Sequence, residues 1–314
     1  MNECRDAYLK EIVRAIFDGD DVYIVASDLA APCLDKVRAE YPKRYVPVGI
    51  AEQNLIAVAS GMALVGKKVI AYTSNPFMVF RAFDQIRNCA CLMNLKVTLV
   101  GLGAGFSPPD YGFTHFILDD INLLMGLPNL TIYNISDINL ARYAAQKTPA
   151  LEAPLYVRID RLVNSEYDLT DADIQRGFRF LHRAAQTDVC VVATGIMSTE
   201  CLDVLKAHDE FSARVTLIDL FAFPFEAHAL VAELRKYRRV ITVEEMRLQG
   251  GMGSAVLEAL SDVDVQVPVR RMGVDISRNL SPRYGSRDWH LKQFGLDKDS
   301  IAENISAALK SAKE

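Results

Sequence analysis

Short apolar runs rich in β-branched residues recur along the whole chain, and each is followed by a segment with helical spacing. This alternation constrains the fold more than any other feature. Strands buried on both faces read as continuous apolar runs, and parallel strands need crossover helices between them. In the first half the runs predict strands at 22–26, 45–48, 68–72, 96–101, 130–134 and 155–159. Helical patterns fall at 5–17, where Tyr8, Ile12, Ala15 and Ile16 share a face, at 51–65, at 80–93 and from about 137 onward. The 51–65 segment is small and apolar almost all round, which predicts a buried helix. Residues 161–186 are more polar and lack a clear period, which predicts a linker, set at 166–186. The alternation then resumes, with strands predicted at 189–193, 215–218, 240–243 and 269–272 and helices at 199–208, 227–236, 253–260 and 300–310. The fold class is therefore α/β, with two domains in series at 1–165 and 187–314. A chain of 314 residues suits two domains.

Charge and composition narrow the function classes. The net charge is −5, which argues against a general nucleic-acid binder. No uncharged apolar run reaches the length of a membrane span. Glu3, Arg5, Asp6 and Lys10 interrupt any signal-peptide apolar core, so the expected location is the cytoplasm. The six cysteines, Cys4, Cys33, Cys89, Cys91, Cys190 and Cys201, show no CxxC pair and no zinc spacing with histidine, and read as reduced thiols.

The most unusual local string is Gly49-Ile50-Ala51-Glu52-Gln53-Asn54. A strand ends, a glycine turns the chain, and a polar trio opens an almost wholly apolar helix. Glu52 falls in the first turn, where the helix dipole favours a carboxylate. A glutamate at the mouth of a buried helix is desolvated, and desolvation is expected to raise its pKa. Held there, it can share a proton with a ligand nitrogen. Gly101-Leu102-Gly103-Ala104-Gly105 follows a strand, but Ser107-Pro108-Pro109-Asp110 comes next in place of a helix, so it is not a dinucleotide loop.

Gly49–Asn54 resembles the pyrimidine-binding domain motif of transketolases, and Arg81-Ala82-Phe83-Asp84-Gln85-Ile86-Arg87 follows at that family's spacing. Gly112-Phe113-Thr114-His115 with Asp119-Asp120 resembles its Gly-Pro-Thr-His segment and trailing acidic pair. Thr242-Val243-Glu244-Glu245 with Gly250-Gly251-Met252-Gly253-Ser254-Ala255-Val256 resembles its C-terminal domain. The resemblance runs from about Arg5 to the last helix. It implies thiamine diphosphate as cofactor. The glutamate matching Glu52 hydrogen-bonds N1′ of the aminopyrimidine and so promotes proton loss from the thiazolium C2. Phe77, Met78, Phe80 and Ile50 are the residues it assigns to the cofactor's surroundings, with Met78 at the usual stacking phenylalanine position. His115 matches the substrate histidine, and Arg5 and Arg161 match phosphate-contacting positions, with Arg158 nearby. Gln85 and Arg87 are assigned to the helix or the interface, and the C-terminal domain to packing and dimerisation. Arg283-Tyr284-Gly285-Ser286-Arg287 reads as a solvated basic loop.

The chain departs from the family pattern in two ways. No Gly-Asp-Gly segment, the family's Mg²⁺-holding motif, occurs; Gly19-Asp20-Asp21 is the nearest string. The resemblance thus implies the C-terminal subunit of a split transketolase. An N-terminal partner subunit would supply most of the diphosphate and Mg²⁺ contacts, and two of each chain would form a heterotetramer. Substrate positions also differ. Tyr111 replaces the acidic residue before Gly112, with Asp110 one place back. Phe113 replaces the proline, Gly103 a histidine, and Pro32 a serine. These changes point to a non-standard sugar. Two readings stay open beside the two-carbon ketol transfer: a deoxyxylulose-phosphate-synthase-like or 2-oxo acid dehydrogenase β-like subunit acting on a 2-oxo acid, and a non-catalytic regulatory subunit.

Overall fold

The computed structural model of the protein describes residues 3–29, 31–275, 277 and 284–312. The chain divides into two compact units, one of residues 1–107 with 114–166, the other of 108–113 with 167–314. In the first unit, strands β1 (Val22–Ala26), β2 (Tyr45–Pro47), β3 (Lys68–Ser74), β4 (Val97–Leu102), β5 (Thr131–Asn134) and β6 (Leu155–Ile159) appear where the apolar runs place them. They lie in the order β5-β6-β4-β3-β1-β2, and every pairing among them is parallel. Ile24, Val25, Ile70, Leu99, Val100 and Val157 are fully buried. The helices Cys4–Phe17 and Glu52–Leu64 pack against these strands and supply part of that cover.

The second unit holds β7 (Phe178–His182), β8 (Val189–Ala193), β9 (Val215–Leu220), the two-residue β10 (Ala222–Phe223), β11 (Arg239–Arg247) and β12 (Val269–Val274). Five of them form a sheet in the order β12-β11-β8-β9-β7, parallel except for the antiparallel edge strand β7.

The stretch expected as a linker carries structure. Asp171–Arg176 is a helix, and β7 follows at once. Thr170 accepts from the Asp173 backbone N–H while Asp173 reaches back to the Thr170 N–H, a reciprocal cap that starts a short helix in polar sequence. Gly177, at φ +80°, ends it.

Two further expectations change. The 80–93 helix is three short pieces, with π-helical turns at Phe77–Arg81 and Ile86–Cys91 around an α-helical turn at Ala82–Gln85. The helix Glu52–Leu64 is not buried all round: Gln53, Asn54, Ala57, Gly61 and Leu64 are exposed on it, as is Val65 just beyond. None of the six cysteines is bridged by a disulfide, and four are buried. Burial pushes the Cys91 thiol up to about 11. Among the described residues no helix is long and apolar enough to cross a membrane.

Candidate active site

Gly49 adopts φ +73°, a left-handed conformation that turns the chain between β2 and the following helix. The turn leaves Ile50 73% exposed and Glu52 4% exposed at the helix start. Arg81 Nη1 donates to Glu52 Oε2 at 3.1 Å, from a side chain that is itself half exposed. The other carboxylate oxygen, Oε1, takes no hydrogen bond from the described residues. A buried carboxylate thus has one oxygen neutralised by a guanidinium and one still able to accept. A cleft of about 630 Å³ opens beside this turn, with Ser27, Asp28, Gly49 and Ile50 in its wall.

Arg81 also lies over the Phe77 ring, its guanidinium carbon 4.2 Å from the centroid. Phe77 also meets His115, edge-on, with ring centroids 5.0 Å apart. Thr114 Oγ1 sits 3.0 Å from His115 Nδ1. Glu52, Arg81, Phe77 and His115 therefore form one continuous set, although the sequence spreads them over 64 positions.

Of the three candidates for the cofactor's ring face, Met78 is fully buried and cannot reach a ligand without repacking. The π-helical turn at Phe77–Arg81 instead leaves Phe77 half-buried and in contact with Arg81 and His115. Phe80 is exposed.

Arg5 and Arg161 act on a common group, Tyr72 on β3. Burial raises the Tyr72 phenol, and these two arginines pull it back. Among the described residues, the Tyr72 hydroxyl and Arg161 Nε are buried without a hydrogen-bond partner. Arg5 also meets Asp6 at 2.8 Å and Glu3 at 3.7 Å, so its charge is already shared. Asp110 and Tyr111 sit on the 108–113 segment, grouped with the second unit, and both are exposed. Arg158 does not face ligand: it is buried and committed to Asp120, Asn134 and the Ile117 carbonyl. Sequence reasoning passed over Tyr72, Asn75 and Tyr156, because each lies in or beside an apolar strand run and reads there as core.

In the second unit, Glu244 accepts from the backbone N–H of Met252 at 2.7 Å and of Gly253 at 2.9 Å. The glycine-rich helix start is thereby capped by the protein's own carboxylate. The expected basic loop is not simply solvated. Tyr284 is exposed, but Arg287 is buried and binds Glu245 through both Nε, at 2.8 Å, and Nη2. Arg283 lies outside the described residues.

Residues 2–164 match the family description "Transketolase, pyrimidine binding domain" and residues 180–301 match "Transketolase, C-terminal domain". The chain belongs to the transketolase family. It is 29% identical over 303 residues to one of the subunits of the apulose-4-phosphate transketolase of Actinobacillus succinogenes, covering 94% of each chain. It is 30% identical over 300 residues to the 6-deoxy-6-sulfo-D-fructose transketolase subunit SqwH of a Clostridium species, covering 95% of this chain and 91% of that one. Against the 1-deoxy-D-xylulose-5-phosphate synthase of Microcystis aeruginosa it is 31% identical but spans only 46% of that protein. A solved structure described as "Split gene transketolase, inactive beta4 tetramer" superposes with a TM-score of 0.84 at 29% identity, covering 99% of both chains. The chain is thus a transketolase-type transferase subunit of the length found in split transketolases.

Proposed function

We propose that this chain is the glutamate-bearing half of a thiamine-diphosphate-dependent transketolase. It transfers a two-carbon ketol unit from a ketose donor to an aldehyde acceptor. The observation that carries the reading is the set Glu52–Arg81–Phe77–His115: a buried carboxylate with one accepting oxygen, an aromatic ring and a histidine in one continuous array.

The residues present fit the cofactor's aminopyrimidine end. Glu52 Oε1 is available to share a proton with a ring nitrogen, and Phe77 offers a ring face beside it. When bound, thiamine diphosphate supplies the nucleophilic carbon that takes up the ketol unit. Arg81 neutralises the buried carboxylate and stacks on Phe77, so it fixes both groups. His115 is placed to hydrogen-bond a substrate oxygen or to move a proton near neutral pH. Arg5, Arg161 and the Tyr72 hydroxyl form the candidate subsite for the anionic end of the substrate. Its lost serine and histidine, at Pro32 and Gly103, support a non-standard sugar, as do relatives named for apulose-4-phosphate and 6-deoxy-6-sulfo-D-fructose.

The diphosphate and Mg²⁺ contacts are assigned to an N-terminal partner subunit, in a cytoplasmic heterotetramer. Among the described residues no group of three His, Cys, Asp or Glu is placed to hold a metal ion. Calorimetry with thiamine diphosphate and Mg²⁺, followed by turnover assays, tests the whole reading. Binding is expected only with the partner present, with ketose rather than pyruvate as donor. Tight binding by this chain alone overturns the split site. Pyruvate as the better donor moves the assignment to the synthase-like reading. Efficient use of xylulose 5-phosphate with ribose 5-phosphate overturns the non-standard sugar. Absence of binding even in the complex leaves a regulatory subunit.

A further inference from the structure

We infer that a buried polar network of Asn75, Tyr156, Arg158 and Asp120 positions His115 against Phe77, and so sets the geometry of the site from beneath. The inference rests on the reading of those two side chains as substrate- and cofactor-facing. Asn75 is fully buried, follows directly after β3 and lies two residues before Phe77. Its Nδ2 donates to the Gly103 carbonyl, where the chain leaves β4. The Tyr156 hydroxyl lies 2.7 Å from both Asn75 Oδ1 and Asp120 Oδ2, and its one proton serves one of them at a time. Burial, with Asp120 beside it, raises that phenol well above its ordinary value and keeps it a donor.

Arg158, two residues on and on the same face of β6, donates from Nε to Asp120 Oδ2 at 2.7 Å and from Nη2 to the Ile117 carbonyl at 3.1 Å. Ile117 in turn pairs with Gly105 through two backbone hydrogen bonds of 3.0 Å. Ile117 and Asp120 lie two and five residues after His115. The network thus ties the segment carrying Phe77 to the segment carrying His115 through β6, without using either side chain.

Gly101 on β4 is the keystone. A Cβ added there would fall 1.3 Å from Asn75 Oδ1, so the amide occupies the place of a side chain. Any larger residue at this position would displace the amide.

This interlock supplies the test. Gly101→Ala expels the Asn75 amide, Asn75→Ala removes it, and the double variant Gly101→Ala/Asn75→Ala refills the vacated space with a methyl group. Histidine side-chain NMR of the full chain gives a readout independent of activity. The His115 resonance, identified by His115→Asn, is expected to shift in Asn75→Ala and in the double variant. His182, His208, His228 and His290, all in the second unit, are expected to stay in place. In the complex with the partner, thiamine diphosphate and Mg²⁺, kcat is expected to fall roughly 10–100-fold, with the ketose KM changed less than about 3-fold. The double variant is expected to regain the melting temperature but not kcat. A purely structural network predicts recovery of both. Unmoved His115 resonances, or full turnover by the double variant, overturns the inference. If the wild-type complex shows no ketose turnover, the functional reading falls and the NMR result still decides the positioning. If Gly101→Ala does not fold, Asn75→Ala and Tyr156→Phe carry the same comparison.

Discussion

Glu52 and Glu244 are both buried glutamates beside helix N-termini, one in each unit, and the protein handles them in opposite ways. Glu244 reaches from β11 to the backbone N–H groups of the next helix, and both its oxygens are used. Gly251 leaves no room for anything else, since a Cβ there would come within 2.3 Å of Glu244 Oε2. Glu52 stands on its own helix and takes one hydrogen bond, from a half-exposed arginine. Equal burial therefore does not mean equal purpose. A carboxylate that satisfies the backbone holds the fold, whereas one with an unused oxygen is set out for something else.

The pair can be broken deliberately. Glu52→Gln is expected to lower kcat of the complex at least about 100-fold while leaving the thermal unfolding curve nearly in place. Glu244→Ala is expected to do the opposite. It strands two helix-terminal N–H groups and costs on the order of 3 kcal/mol by denaturant unfolding, while the folded fraction keeps its turnover. Equal losses of stability in both variants would erase the distinction.

A smaller effect separates the two neighbours Phe77 and Met78. Phe77→Leu is expected to raise the thiamine diphosphate concentration at half saturation about 10-fold, because the ring contact with the ligand goes. Met78→Leu keeps core volume, is expected to cost less than about 1.5 kcal/mol of stability, and leaves cofactor affinity unchanged. Cofactor titration of both variants checks this.

The smallest effect belongs to a carboxylate at the surface. A hydrogen bond from Lys67, with Arg44 beside it, lowers the Asp21 pKa. Its contribution to stability is present above the ordinary carboxylate value of 3.8 and is lost as pH falls through the lower folded-state value. Because Asp21 is 45% exposed, the loss is expected to be only a few tenths of a kcal/mol. Melting curves of Asp21→Asn and wild type should converge below about pH 3 and separate slightly above about pH 5.

The sheet strands were legible because apolar runs of strand length leave little choice in an α/β chain. The Glu52 site was legible because a polar trio opening an apolar helix is locally out of place. What escaped depends on geometry that composition does not carry. Nothing in Phe77-Met78-Val79-Phe80 announces a π-helical turn, yet that turn decides which of the residues is core and which faces outward. Arg158 and Arg287 read as ligand or solvent groups, because a buried arginine is recognisable only once Asp120 and Glu245 are in place opposite. The 166–186 stretch read as a linker because a six-residue helix and an edge strand bury too little to leave a period.

The Asn75 amide lying in the space of an absent Gly101 side chain has a consequence for engineering. The two positions form a lock of unlike parts, one on β4 and one just past the end of the neighbouring β3. A loop graft from a relative that brings only one of them would collide or leave a hole. Attempts to change the sugar accepted by this chain should therefore move Asn75 and Gly101 together, or leave both untouched and redesign only the surface above them.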